Sequence, residues 1–260
     1  MAASIAVLTG CGGGGSGGNQ TEFQNDESVV FDASGAYDLR AYEAQESATH
    51  YYDEYKGDGV AAPLKESTQI QESITVSGDT IVYIETDASG VSEKVSETVT
   101  PTQLISVVEQ SDDVLDNTSQ VWVRYADIGD VVHASSLNGS YSYEGYSVSF
   151  QGTITCVLKA FHDTLSFSPT TANSYTYNDV LEIECTTELD TTMPQNSTPV
   201  HSIAIASSYS AKNIGTVGFY DKQCQMLSEN GSDYKTDDTQ TSCAATPEYY
   251  KLLNLEDSGY

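Results

Sequence analysis

Four histidines and an unusual wealth of carboxylates are the residues that could do chemistry, and their spacing decides little. His50, His133, His162 and His201 are scattered, and none stands in an H-E-x-x-H or other metal-ligand spacing. His162 and Asp163 are adjacent, but neighbours on a strand point to opposite faces, so the pair is not read as a dyad. Carboxylates are so numerous that a glycosidase-like pair could be drawn almost anywhere. Such a pair is defined by separation in space, so no catalytic acid is named. Two acidic stretches could hold calcium: Ser111, Asp112, Asp113, Asp116 and Asn117, and separately Asp53, Glu54 and Asp58. Neither has the EF-hand spacing with its distal Glu, and a solvated turn is the default reading. No metal ligand and no cofactor is assigned. Gly14, Ser16 and Gly18 match G-x-S-x-G formally, but a nucleophile elbow needs a strand before the serine and a helix after it, and a glycine run supplies neither.

Cysteine is more informative. Setting Cys11 aside, Cys156, Cys185, Cys224 and Cys243 form an even set, which in an exported chain reads as two disulfides with three connectivities open. Cys156 shares a strand face with Ile154 and Leu158. Cys185 shares one with Leu181 and Ile183, opposite Glu182 and Glu184. Both thiols then point into a core, and the pairing expected is Cys156–Cys185 between neighbouring strands. Cys224–Cys243 would clip the C-terminal segment. Zinc and redox roles are disfavoured because no C-x-x-C occurs.

Residues 1–9 are a short uncharged run, the length of a signal-peptide apolar region and too short to span a bilayer. Leu8, Thr9, Gly10 and Cys11 resemble the lipobox of bacterial lipoproteins. The resemblance implies cleavage before Cys11, a diacylglycerol thioether on its sulfur and an acyl chain such as palmitate on its new amine. Together these chains give stable anchoring. Gly12 stands where the inner-membrane retention signal of that family places Asp, which implies the outer membrane. No Lys or Arg precedes Arg40, so residues 1–10 are read as a signal peptide truncated at its start. Gly12 to Gly18 reads as a flexible tether, and the linker is drawn over residues 11–27. Five N-x-[ST] sequons, at Asn19, Asn117, Asn138, Asn196 and Asn230, keep a eukaryotic secreted protein as a minor alternative.

The chain has 10 Lys plus Arg against 38 Asp plus Glu, a formal net charge of -28. That field repels phosphate backbones and excludes nucleic acid as a partner. It favours solubility and leaves a cationic partner open. The membrane is expected as a partner through the lipid alone.

The elements that would position these residues are strands. Ser77-Gly78-Asp79 reads as a turn before the strand Thr80–Glu85, and Lys56 to Gly59 closes a strand over His50–Tyr55. Val121, Val123 and Tyr125 alternate with Trp122 and Arg124. Tyr141 to Phe150 is tyrosine-rich and ends at Gly152. No helical crossover is visible, so the class is all-β: an antiparallel meander of short strands forming a sandwich, a barrel or a curved sheet. The β domain is placed at 28–225. A C-terminal segment follows over 226–260, with one short helix near 246–256 started by Thr246-Pro247. A membrane-spanning barrel is disfavoured because the strands read as too short and too polar. Tyr51, Tyr52 and Tyr55 with Tyr141, Tyr143 and Tyr146 could stack on sugars, although tyrosine is also simply a good strand former. The leading expectation is a lipid-anchored, non-catalytic binding or structural β domain. An apolar-ligand carrier and a secreted carboxylate hydrolase are the alternatives.

Overall fold

The computed structural model describes residues 20–26, 29–31, 33–56, 64–65, 69–87, 90–110, 118–143, 146–169, 173–193, 196–227 and 249–260. Its strands are β1 (Gln20–Asn25), β2 (Tyr37–Asp38), β3 (Ala48–Lys56), β4 (Leu64–Lys65), β5 (Ile70–Ser77) and β6 (Thr80–Asp87). They continue as β7 (Gly90–Val99), β8 (Gln103–Gln110), β9 (Ser119–Val123), β10 (Tyr125–Ala126) and β11 (Val131–Tyr143). The last are β12 (Tyr146–Phe167), β13 (Tyr175–Met193), β14 (Asn196–Ala211), β15 (Gly215–Leu227) and β16 (Tyr249–Leu253).

All pairings are antiparallel, as the absence of crossover helices predicts. One sheet runs β1-β11-β12-β13-β14-β15-β16-β3-β5-β6-β7-β8-β9, with β4 on β3. The sheet curls until its two ends meet, so of the three expected architectures the chain adopts a nearly closed barrel. The seam is closed by side chains rather than a backbone ladder. The Asn25 side-chain amide donates to Ser119 O at 3.1 Å, and its Oδ1 accepts from Val121 N at 3.0 Å. His133 Nδ1 lies 2.9 Å from Val121 O. Asn25 therefore stands in for a peptide unit along the edge of β9 and satisfies groups that an open edge would leave bare.

Period-two alternation sets the inner face. Ile154, Cys156 and Leu158 on β12, and Ile183, Cys185 and Leu189 on β13, are buried in the main core with Leu104, Trp122 and Phe150. Cys156 faces Cys185 in register, and the two form a disulfide with Cα atoms 4.0 Å apart. The Cys224–Cys243 pairing lies outside the described residues, as do Cys11 and residues 1–10, which are read as a signal peptide.

Several expectations need correction. Not all the strands are short: β12 has 22 residues and β13 has 19. A bulge between Leu158 and Ala160 bends the pair without ending the ladder. The far part of this hairpin then lies over the outer face of β15, β16 and β3. Phe167, Tyr175, Tyr177 and Val180 make a second core there with Tyr209 and Val217. Gly152 does not terminate a strand but sits inside β12, and Tyr141 to Phe150 divides between β11 and β12. Residues Gln20–Asn25, placed in the linker, are strand β1 on β11.

The described end of the C-terminal region joins the main sheet. Tyr249–Leu253, expected within a helix, is strand β16, because β15 and β3 offer it a ladder on both sides. Among the described residues the short helix, α1, begins later, at Leu255–Ser258, capped by Asn254 and ended by Gly259 at φ 84°. A four-residue 3-10 helix, Leu39–Tyr42, with β2 behind it, crosses one end of the barrel. Arg124 clamps one side of this plug with a bidentate pair to Asp38 at 2.9 and 3.0 Å. Asn213 N donates to Ala41 O on the other.

Candidate functional site

The inner face carries more than a core. Strand registers bring His50 opposite Glu72, Glu72 opposite Glu85, and Tyr83 opposite Val95. His50 is fully buried, with Nε2 3.0 Å from the Tyr260 hydroxyl and Nδ1 3.7 Å from Glu72. The Tyr52 hydroxyl lies 2.9 Å from Glu72 Oε2. Lys251 pairs with Glu85 and lies over the Tyr52 ring at 4.6 Å. Burial alone would raise the Glu72 carboxyl, but His50, Lys251 and Tyr52 outweigh it and hold it below the usual carboxylate range. Burial would lower the Lys251 ammonium, yet Glu85 and Glu72 hold it above the ordinary lysine range. Lys251 thus stands between two carboxylates in a buried ionic network.

A second group lies beneath the plug. Glu43, which follows the 3-10 helix, accepts from the Tyr83 hydroxyl at 2.7 Å and is 1% exposed. Glu97 on β7 is fully buried and accepts from Ser106 at 3.3 Å. Burial, and then the neighbouring Glu97 charge, push the Glu43 carboxyl up to about 7. A buried carboxyl with a raised pKa beside a second carboxylate is often the mark of an acid–base pair. Here both side chains are buried in the barrel interior.

Near the seam, His133 stacks on Trp122 with centroids 4.6 Å apart, and its Nε2 lies 3.2 Å from Ser135 Oγ. Burial pushes this imidazole down to about 4, only partly offset by its bond to the Val121 carbonyl. It is a neutral structural histidine. His162 bonds Glu182 at 2.8 Å, not its chain neighbour Asp163. Sequence reading missed Glu43, Glu72 and Glu97, because alternation shows which residues face inward but not which inward residues meet.

The remaining sequence candidates do not converge. Tyr52 and Tyr55 are both buried and stand on opposite faces of β3, so they make no single stacking surface. Asp53 is bound by Tyr175 at 2.7 Å and by Asn254 at 3.2 Å, while Glu54 points to the other face. Residues 111–117, Asp58 and the side chains of Tyr141, Tyr143, Tyr146 and His201 lie outside the described residues. Among the described residues no group of three His, Cys, Asp or Glu is placed to hold a metal ion.

The outer face also bears on the membrane question. Strands β11 to β15, of 13 to 22 residues, are long enough to cross a bilayer, which corrects the expectation from length for that part of the sheet. Yet Ser136, Asn138, Gln151, Thr153, Thr155 and Glu188 point outward and are exposed, whereas a lipid-facing band must be apolar. Among the described residues no helix is long and apolar enough to cross a membrane.

The class defined by these features is an all-β protein whose single large antiparallel sheet curls into a nearly closed barrel around a partly ionic interior. No family profile matches the chain, and no curated protein is similar to it in sequence. Two solved structures are similar in shape. One is a protein described as exported, with a YmcC-like fold, from Bacteroides fragilis: TM-score 0.42, 12% identity, covering 81% of this chain and 95% of that one. The other is a protein described as a lipoprotein from Parabacteroides distasonis: TM-score 0.36, 12% identity, covering 82% of this chain and 96% of that one.

Proposed function

We propose that this chain is a lipid-tethered protein of the bacterial envelope, held at the outer membrane through Cys11, whose barrel is a non-catalytic binding or structural body. The observation that carries the reading is the lipobox-like Leu8-Thr9-Gly10-Cys11 followed by a glycine tether. That tether enters the sheet at Gln20, the first residue of β1. Nine residues from Cys11 to Gln20 span at most about 30 Å, so the body stays close to the surface that holds the lipid.

The interior supports a binding or structural role over the two alternatives. A carrier for an apolar ligand needs a largely apolar cavity. This inner face instead holds Glu43, Glu72, Glu85, Glu97, Lys251 and His50 between its aromatic side chains. A hydrolase needs its acids open to a cleft, and Glu43 and Glu97 are covered.

The test is fractionation of cells expressing the native chain or a Cys11→Ser variant. The reading expects the native protein in the detergent-soluble outer-membrane fraction and the variant in the soluble fraction. Identical partition of the two would overturn it.

A further inference from the structure

We infer that the far part of the β12–β13 hairpin, from Ala160 to Val180, is a strap latched to the C-terminal helix through Asp53, so that strap and helix release together. The inference goes beyond the reading above and holds whether or not Cys11 carries lipid.

The strap leaves the sheet where its flanking strands stop. β11 pairs with β12 no further than Val157, and β14 with β13 no further than Val180. At that level β12 has its bulge, between Leu158 and Ala160, and Asp179 takes φ 51°, in the left-handed region. Beyond it, among the described residues, the two strands pair only with each other. A lone two-stranded hairpin is marginally stable in water, so docking must supply what flanking strands do not.

The docking has an apolar and a polar part, and the helix shares both. Ser166 and Thr176 bond each other on the exposed side of the strap. Phe167, Tyr175 and Tyr177 pack below it in a cluster with Tyr209 and Leu253, and Leu255, the first residue of α1, packs on the same cluster. Asp53 is 4% exposed, and its Oδ2 accepts from the Tyr175 hydroxyl at 2.7 Å and from Asn254 Nδ2 at 3.2 Å. The Tyr177 hydroxyl donates to Leu253 O at 2.7 Å, one residue before the helix cap.

A shared buried acceptor makes the two dockings interdependent. While the strap covers Asp53, the bond from Asn254 lies in a low-dielectric setting and is strong. Once the strap lifts, water competes for the same oxygen, and the helix loses most of what that bond contributes. The coupling is reciprocal, so loosening the helix must loosen the strap by the same factor.

The experiment is hydrogen exchange read by mass spectrometry on the full chain carrying Cys11→Ser, alone and with Tyr175→Phe or Asn254→Ser added. Tyr175→Phe keeps the ring in its cluster and removes the hydroxyl. Asn254→Ser keeps a good helix cap and removes the amide that donates to Asp53. Tyr175→Phe, a change in the strap, should speed exchange of residues 255–260 by about fivefold, the size of one hydrogen bond lost. Asn254→Ser, a change at the helix, should speed exchange of the strap by a similar factor. The ladder between β6 and β7, which neither residue touches, should exchange unchanged in both. Confinement of either effect to its own element, or equal loosening of β6 and β7, would overturn the proposal.

Discussion

Acidification should weaken the barrel at its seam, through His133. Its imidazole is fully buried, stacked on Trp122, and bonded through Nδ1 to the Val121 carbonyl and through Nε2 to Ser135. Burial lowers its pKa from an ordinary 6.5 to about 4. The folded state therefore binds fewer protons than the unfolded state between those values. The stability this group contributes is present above pH 6.5 and is lost as pH falls towards 4. At pH 4.5 the unfolded chain is almost fully protonated at this residue and the folded chain only in part. The loss comes to about 2.5 kcal/mol from this residue alone. Urea unfolding at pH 7 and pH 4.5, for the native chain and for His133→Gln, isolates the effect, because every other titrating group is common to both. Glutamine keeps a donor for Val121, and any constant cost of the substitution cancels when each protein is compared with itself. The native chain should lose about 2.5 kcal/mol more than the variant over this interval. Equal losses in the two proteins would refute the burial argument.

Glu43 should act with the opposite sign. Its raised pKa makes it a source of stability below pH 4.5 that is lost as pH rises through about 7. Glu43→Gln should therefore flatten the alkaline side of the stability profile, as read by thermal melts between pH 5 and pH 8. Gly152→Ala should be severe, because a Cβ there would sit 1.9 Å from Glu188 O and 2.7 Å from a Leu189 methyl. Backbone must move, and the expected loss is roughly 2–3 kcal/mol in denaturant unfolding, or a failure to fold. Breaking Cys156–Cys185, which are 29 residues apart, should cost on the order of 3 kcal/mol from chain entropy. Urea melts of a Cys156→Ala, Cys185→Ala variant measure it.

The parts of this fold legible in sequence are those fixed by short-range pattern. Alternation around Ile154, Cys156 and Leu158, and again around Leu181, Ile183 and Cys185, is enough to aim both thiols inward. The structure joins them. Ser77-Gly78-Asp79 marks its turn because Gly78 takes φ 61°, where glycine is at ease. What fails is what depends on distant partners. Tyr249, Leu252 and Leu253 fit a helical spacing as well as a strand, and only the free ladders of β15 and β3 decide between them. The buried acids are illegible for the same reason. Glu43 and Glu97 are 54 positions apart, and Glu72 meets His50 only after β3 pairs with β5. Likewise, nothing local in Ala160 to Tyr177 announces that this hairpin lies over strands that come much earlier and later in the chain.

The most direct test of the central claim is the intact mass of the protein extracted by detergent from its native membrane, before and after reduction. The account predicts a chain beginning at Cys11 with the added mass of a diacylglycerol and an acyl chain. It also predicts a gain of two hydrogens on reduction for Cys156–Cys185, and for each further bridge present. An unlipidated mass retaining residues 1–10 would contradict it.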